Sequence, residues 1–237
     1  MRLALLATFL IACEGIDTDA PDASPDASGD VVGDSQPSDM QADGALAPAP
    51  PPIRVLCAGD SITDGNAYPG GYRTELWRLL GGHVDFLGRR KSGPPELGDR
   101  DHEGYPGYDT KSIRSLVVNW LEKQTARPAV IVLHAGTNDL FAADALGRLE
   151  REWPVLVRDL HRLAPGARIL AFPLSQWWTT EHARADVWNA RLAVLAPQLG
   201  VELLDVRLTR EETPDSTHPS PAAYRRMAMA IHAALAP

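Results

Sequence analysis

Several things are scarce in this 237-residue chain, and each scarcity excludes something. A membrane-spanning helix needs about 20 consecutive apolar residues; the apolar stretch at residues 3–12 is too short for one. Cysteine occurs only at positions 13 and 57. Residues 14–52 contain no aromatic residue, no lysine and no arginine. Net charge is missing from residues 53–237, which hold 22 basic and 22 acidic side chains, so the whole chain's formal charge of -8 lies elsewhere. A neutral domain gives no electrostatic reason to bind nucleic acid or another polyanion. No Gly-x-Ser-x-Gly elbow occurs, and the glycines match neither a dinucleotide fingerprint nor a phosphate loop. No cofactor or metal is expected; Asp99, Asp101, His102 and Glu103 are too loosely spaced to read as a metal site.

What is present begins with Arg2 and an apolar stretch ending at Cys13, which suits the hydrophobic region of an export signal. Leu10-Ile11-Ala12-Cys13 resembles the lipobox of bacterial lipoproteins, in which the cysteine is lipidated and becomes the mature N-terminus. Residues 1–13 are therefore read as a lipoprotein-type signal, with an ordinary cleaved signal as the alternative, and the protein as exported and membrane-anchored, periplasmic or at the cell surface. If Cys13 carries lipid, no intrachain disulfide is possible, and Cys57 reads as a small buried apolar residue. Residues 14–52, with nine carboxylates and seven prolines, cannot bury enough to offset the entropy of ordering and read as a disordered acidic linker. Gly33-Asp34-Ser35 inside it has no strand before it and no helix after it to hold the serine.

Residues 53–237 read as one domain. Short apolar runs at 53–58, 84–88, 129–134, 169–172 and 201–206 alternate with helical patterns at 72–80, 110–123, 142–163, 180–199 and 221–234. The third helix is expected to break near Pro154, and residues 89–106 read as a polar loop. Five strands apolar on both faces, alternating with helices, predict a three-layer α/β/α fold around a five-stranded parallel sheet. In such folds the chemistry gathers beyond the C-terminal strand ends.

Three motifs fall just past strand ends: Gly59-Asp60-Ser61-Ile62-Thr63, Gly136-Thr137-Asn138-Asp139 and Asp215-Ser216-Thr217-His218. A serine nucleophile, a histidine with a carboxylate three residues before it and a side-chain amide are what acyl transfer requires. Singly each has a structural alternative: Ser61 as a helix cap, Asn138 as a turn residue, Asp215 as a turn cap. His134 reads as a structural hydrogen-bonding residue. His102 and Glu103 border the cleft or sit in a solvated loop. Trp177 and Trp178 follow a strand end, suited to stacking on sugar rings or to core and lid packing.

With these blocks the region 53–237 resembles the SGNH (GDSL) hydrolase superfamily, whose second block, a glycine in a loop, matches Gly107 in Glu103-Gly104-Tyr105-Pro106-Gly107. Gly71-Tyr72-Arg73, His102-Glu103-Gly104, Leu133-His134-Ala135-Gly136-Thr137-Asn138-Asp139 and His218-Pro219 with Tyr224 and Met227 further resemble carbohydrate esterase family 3, whose members remove acetyl groups from xylan. Ala223, where glycine is common, and Cys57-Ala58 depart from the pattern without touching a catalytic role. The resemblance implies a flavodoxin-like SGNH fold and catalysis by Ser61, His218 and Asp215. It implies an oxyanion hole of the Ser61 and Gly107 amides with the Asn138 side chain. Asp60, His102, Trp177 and Trp178 are candidate substrate-binding residues. The expected partner is an acetylated polysaccharide or other small ester, the membrane is met through a lipid anchor only, and the protein is expected to be a monomer. The alternatives are a lipid-directed esterase, lysophospholipase or thioesterase on the same scaffold, and a non-catalytic carbohydrate-binding surface protein.

Overall fold

A computed structural model of the chain describes residues 51–66 and 68–236. The signal-like segment, Cys13 and all but the last two residues of the predicted linker lie outside the described residues. The strands are β1 (Ile53–Gly59), β2 (Val84–Leu87), β3 (Arg90–Lys91), β4 (Asp101–Gly104), β5 (Val130–His134), β6 (Arg168–Ala171) and β7 (Val201–Leu203). Among them β2, β1, β5, β6 and β7 form one continuous parallel run. Counting these five in chain order gives 2-1-3-4-5, the flavodoxin-like arrangement, whose winding reverses between β1 and β5. The crevice at that switch point is where the loops after β1 and β5 diverge.

Period-two alternation sorts the strand side chains onto two cores. Val55, Cys57, Val130, Val132 and Leu170 pack on one face, and Leu56, Ala58, Ile131, Leu133, Ile169 and Ala171 on the other. The first face is covered by α2 (Tyr72–Leu79) and α6 (Pro221–Leu235), the second by α3 (Thr110–Leu121), α4 (Ala145–Leu163) and α5 (Thr179–Gln198). Trp153 of α4 and Trp188 of α5 meet edge to face, 6.2 Å between ring centroids. A four-residue helix, α1 (Ser61–Asp64), follows β1 directly. Ser220 caps α6 by accepting the Ala223 N–H, with Pro221 at the first turn. Cys57 is fully buried, and burial pushes its thiol up to about 12, so it stays protonated. Among the described residues no helix is long and apolar enough to cross a membrane.

Two expectations are corrected. Residues 89–106 are not simply loop: β3 and β4 form a short antiparallel pair, and β4 joins the sheet parallel to β1. β2 covers only Ile53–Leu56 of the β1 edge, and β4 takes the rest at Ala58 and Gly59. Its sequence, Asp-His-Glu-Gly, carries no apolar alternation, because its buried groups are satisfied by polar partners instead. Likewise α4 is not broken at Pro154. The ring removes one rung to the carbonyl four residues back, but the buried stripe Leu149, Trp153, Leu156, Val157 and Leu160 holds the helix against the sheet.

Candidate active site

The loop after β1 sets the first group. A Cβ on Gly59 would stand 2.2 Å from the His134 carbonyl oxygen and 2.4 Å from Thr63 Oγ1, so the chain can pass there only as glycine. Asp60 follows and caps α1, its Oδ1 accepting the Ile62 N–H at 2.9 Å. Ser61 is thereby fixed as the first helical residue, where its N–H has no intrahelical acceptor. Its Oγ lies 2.9 Å from His218 Nε2.

His218 Nδ1 is 2.7 Å from Asp215 Oδ2. The other carboxylate oxygen accepts the backbone N–H groups of His218 at 2.7 Å and Thr217 at 3.0 Å. Burial alone would raise the Asp215 carboxyl; the His218 backbone N–H and ring, with the Thr217 N–H, outweigh it and hold the group below the ordinary carboxylate range. An ionised Asp215 accepts a hydrogen bond from the Nδ1–H, which fixes the tautomer with Nε2 as acceptor toward the serine hydroxyl. Between acid and base stands Ser216 at φ 72°, the one non-glycine residue with positive φ among the described residues. Such backbone strain persists only where surrounding structure imposes it. Here the Trp177 N–H donates to the Ser216 carbonyl at 2.9 Å. The buried Gln176 amide also meets the Thr217 hydroxyl, at 3.1 Å through its nitrogen and 3.2 Å through its oxygen.

The other side of the crevice comes from β4 and β5. Gly107, in the turn after β4, has φ 80° and open space where a Cβ would stand. Asn138 opens the single 3-10 turn Asn138–Phe141 after β5. Its amide nitrogen donates to the Tyr108 carbonyl at 2.9 Å, which ties the two loops and leaves a second amide hydrogen for another acceptor. Asp139 completes the stitching: its buried Oδ2 accepts both the N–H and the hydroxyl of Thr110 at 2.8 Å. Burial pushes the Asp139 carboxyl up, against the pull of those two donors.

Ser61, His218 and Asp215 are thus joined by hydrogen bonds. Gly107 and Asn138 lie on loops joined to each other at the same strand ends. A hydroxyl with a base on its proton and an acid behind the base can perform nucleophilic acyl transfer. Two candidate substrate-binding residues are corrected. Asp60 is fully buried, its carboxylate capping α1 and lying 3.4 Å from His134 Nδ1. Burial would raise it, but His134 and the Ile62 N–H hold it below the ordinary range. His102 is also fully buried, between Ser92 Oγ at 2.9 Å and the Gly104 N–H at 3.0 Å. Glu103, fully buried too, receives Arg89 and the Tyr105 hydroxyl rather than solvent. Trp177 is half-buried and stacked on His182, while Trp178 is 53% exposed.

Sequence reasoning passed over Gln176, Ser216 and Asp139 as site residues. Asp139 carried a signal, since it stands beside Asn138 in the same motif. For Gln176 there was none, because its partner lies 41 residues away.

The sequence model of the GDSL-like Lipase/Acylhydrolase family matches residues 57–226. Among solved structures, a family 3 carbohydrate esterase of Clostridium thermocellum shares 29% identity at a TM-score of 0.65, over 78% of this chain and 99% of its own. A carbohydrate esterase family 3 structure from Talaromyces cellulolyticus shares 21% identity at a TM-score of 0.63, over 77% of this chain and 96% of its own. A lipolytic protein of the G-D-S-L family from Veillonella parvula shares 19% at 0.58, over 77% and 98%. The last two resemble this chain in fold. No curated protein sequence matches it.

Proposed function

From the premise that this chain belongs to the GDSL-like lipase/acylhydrolase family, an ester-hydrolysing family, we propose that it removes O-acetyl groups from a polysaccharide, acetylated xylan first among candidates. The observation that carries the proposal is the unbroken relay from Ser61 Oγ to His218 Nε2 at 2.9 Å and from His218 Nδ1 to Asp215 at 2.7 Å. Support for the acetyl-glycan part comes from the 29%-identical Clostridium thermocellum protein, which is a family 3 carbohydrate esterase.

Ser61 Oγ attacks the acetyl carbonyl carbon as its proton passes to His218 Nε2. Negative charge on the carbonyl oxygen is met by the N–H groups of Ser61 and Gly107 and the Asn138 amide. Collapse breaks the bond to the sugar oxygen, which takes the proton back from His218. Water then attacks the acetyl-serine by the reverse use of the same base, releasing acetate. Trp178, half-exposed at the head of α5, offers an indole face to a sugar ring.

Losing the nucleophile or base costs on the order of 10⁶ in kcat, and losing one oxyanion donor roughly 10²–10³. Ser61→Ala and His218→Ala are therefore expected to be nearly inactive on an aryl acetate, with Asn138→Ala impaired but measurable. All three retaining ordinary turnover would sink the assignment. The acyl preference is read from a chain-length series on aryl esters alongside acetate release from acetylated glycans. A sharp acetate optimum with glycan release supports the proposal, whereas rates rising with chain length replace it with a lipid-directed esterase or thioesterase. A Ser61 inert to organophosphates would instead favour a non-catalytic carbohydrate-binding protein.

A further inference from the structure

Beside the acid–base turn lies a cleft of about 370 Å³, within the range of ligand pockets, roughly 300–1,000 Å³. It opens between the loop after β6 and the loop after β7. Its wall toward the catalytic turn is the Gln176–Trp177 pair, already bonded to Thr217 and Ser216. The Trp177 indole lies on the His182 ring, 4.3 Å between centroids and 23° from parallel, and its Nε1 is buried with no hydrogen-bond partner among the described residues. Across from it Arg207 pairs with Asp186, which also stands 3.6 Å from His182 Nε2.

We infer that this cleft is the leaving-group subsite and holds an uncharged pyranose of the glycan chain, an inference that rests on the acetyl-glycan reading above. Chemistry fixes which part of the substrate belongs there. The group that returns a proton to the departing oxygen is His218, so the departing alcohol lies on the histidine side of the bond being broken. The cleft lies against that side through Gln176 and Trp177, which bond to Thr217 and Ser216 of the catalytic turn, whereas the acyl oxygen belongs to the opposite side, with Gly107 and Asn138. The lining chooses the ligand class. One carboxylate and one guanidinium cancel, giving no net cation to attract a uronate. Together they still present an acceptor and a fork of donors to neighbouring hydroxyls. The Trp177–His182 stack supplies an aromatic floor suited to the apolar face of a sugar ring.

Asp186 and Arg207 are exposed and far from the nucleophile along the chain, so their truncation tests the subsite directly. The measurement is the ratio of kcat/KM on acetylated xylan to kcat/KM on an aryl acetate, for the parent, Asp186→Ala and Arg207→Ala. The ratio is expected to fall about tenfold in each variant, the loss of one charge-assisted hydrogen bond, through a higher KM for xylan. If either alanine variant also loses the aryl reaction by misfolding, Asp186→Asn and Arg207→Gln carry the same comparison. A ratio equal to the parent's, or higher, in both positions overturns the subsite. A parent that cleaves aryl acetate but releases no acetate from any glycan overturns the acetyl-glycan reading instead, and the two failures are told apart by the parent alone.

Discussion

His102 accepts the Gly104 N–H at Nδ1 and donates from Nε2 to Ser92 Oγ, so its neutral tautomer is fixed by partners on both sides. Burial disfavours the charged ring, and the Arg73 and Arg90 guanidiniums add to this, holding the group down at about 2. The Asp64 carboxylate at 3.9 Å pulls the other way and is outweighed. Arg73 is itself fully buried and donates to the carbonyls of Asp64, Ser92 and Arg100. In the unfolded chain the histidine titrates near its ordinary value of ~6.5. Between pH ~6.5 and ~2 the unfolded state therefore binds a proton that the folded state refuses, and stability falls as pH drops, by up to about 1.4 kcal/mol per unit from this group. Above pH ~6.5 it contributes no slope. His102→Gln is expected to be less stable than the parent at pH 7.5, with the gap narrowing from pH 6.5 to pH 4 in urea unfolding. A gap that stays constant or widens refutes the neutral buried state. None of this was legible in Arg100-Asp101-His102-Glu103, which reads as solvated loop; sequence shows the polarity of such a run but not that every polar group has an inward partner.

At the scale of elements, the catalytic turn is carried by no helix or strand. It hangs between β7 and α6, held in shape by Asp215 from within and by Gln176 and Trp177 from the loop after β6. Ser216 is thereby kept in a conformation that side-chain-bearing residues adopt at a cost and glycine adopts freely. Gln176 is accordingly a positioning residue for His218. Replacing it with leucine should lower kcat on an aryl acetate by up to roughly 10²-fold, with KM changed far less. Adding Ser216→Gly is expected to restore part of that kcat, because the turn then needs less outside support. A kcat untouched in Gln176→Leu, or a double variant worse than the single, would show that the turn holds itself. The parallel strands were legible because their central members carry runs of buried residues apolar on both faces, as Val130–Leu133 does, and the 215–218 spacing was legible because a carboxylate three residues before the histidine can reach its Nδ1 within one short turn. β4 was not, since it enters the sheet with polar side chains. The continuity of α4 through Pro154 was not either, since tertiary packing there overrides a local breaker.

For the whole molecule, charge separates the catalytic region from what precedes it. Residues 53–237 are neutral and residues 14–52 carry nine carboxylates with no cation. A basic patch gains about 1 kcal/mol per lysine or arginine at an anionic lipid surface; a neutral domain behind an acidic segment has no such attraction and is repelled if anything. We propose that the chain is attached to a membrane through Cys13, by lipidation at the Leu10-Ile11-Ala12-Cys13 sequence. Two washes of bacterial membranes carrying the full chain separate the mechanisms. Salt at 1 M shortens the screening length to about 3 Å and should leave the protein bound, whereas detergent should release it. In Cys13→Ser the protein should move to the soluble fraction with its aryl-acetate kcat/KM unchanged, since the substitution lies outside residues 53–237. Release of the parent by salt, or a Cys13→Ser variant that stays on the membrane, would place the attachment in the protein surface rather than in a lipid.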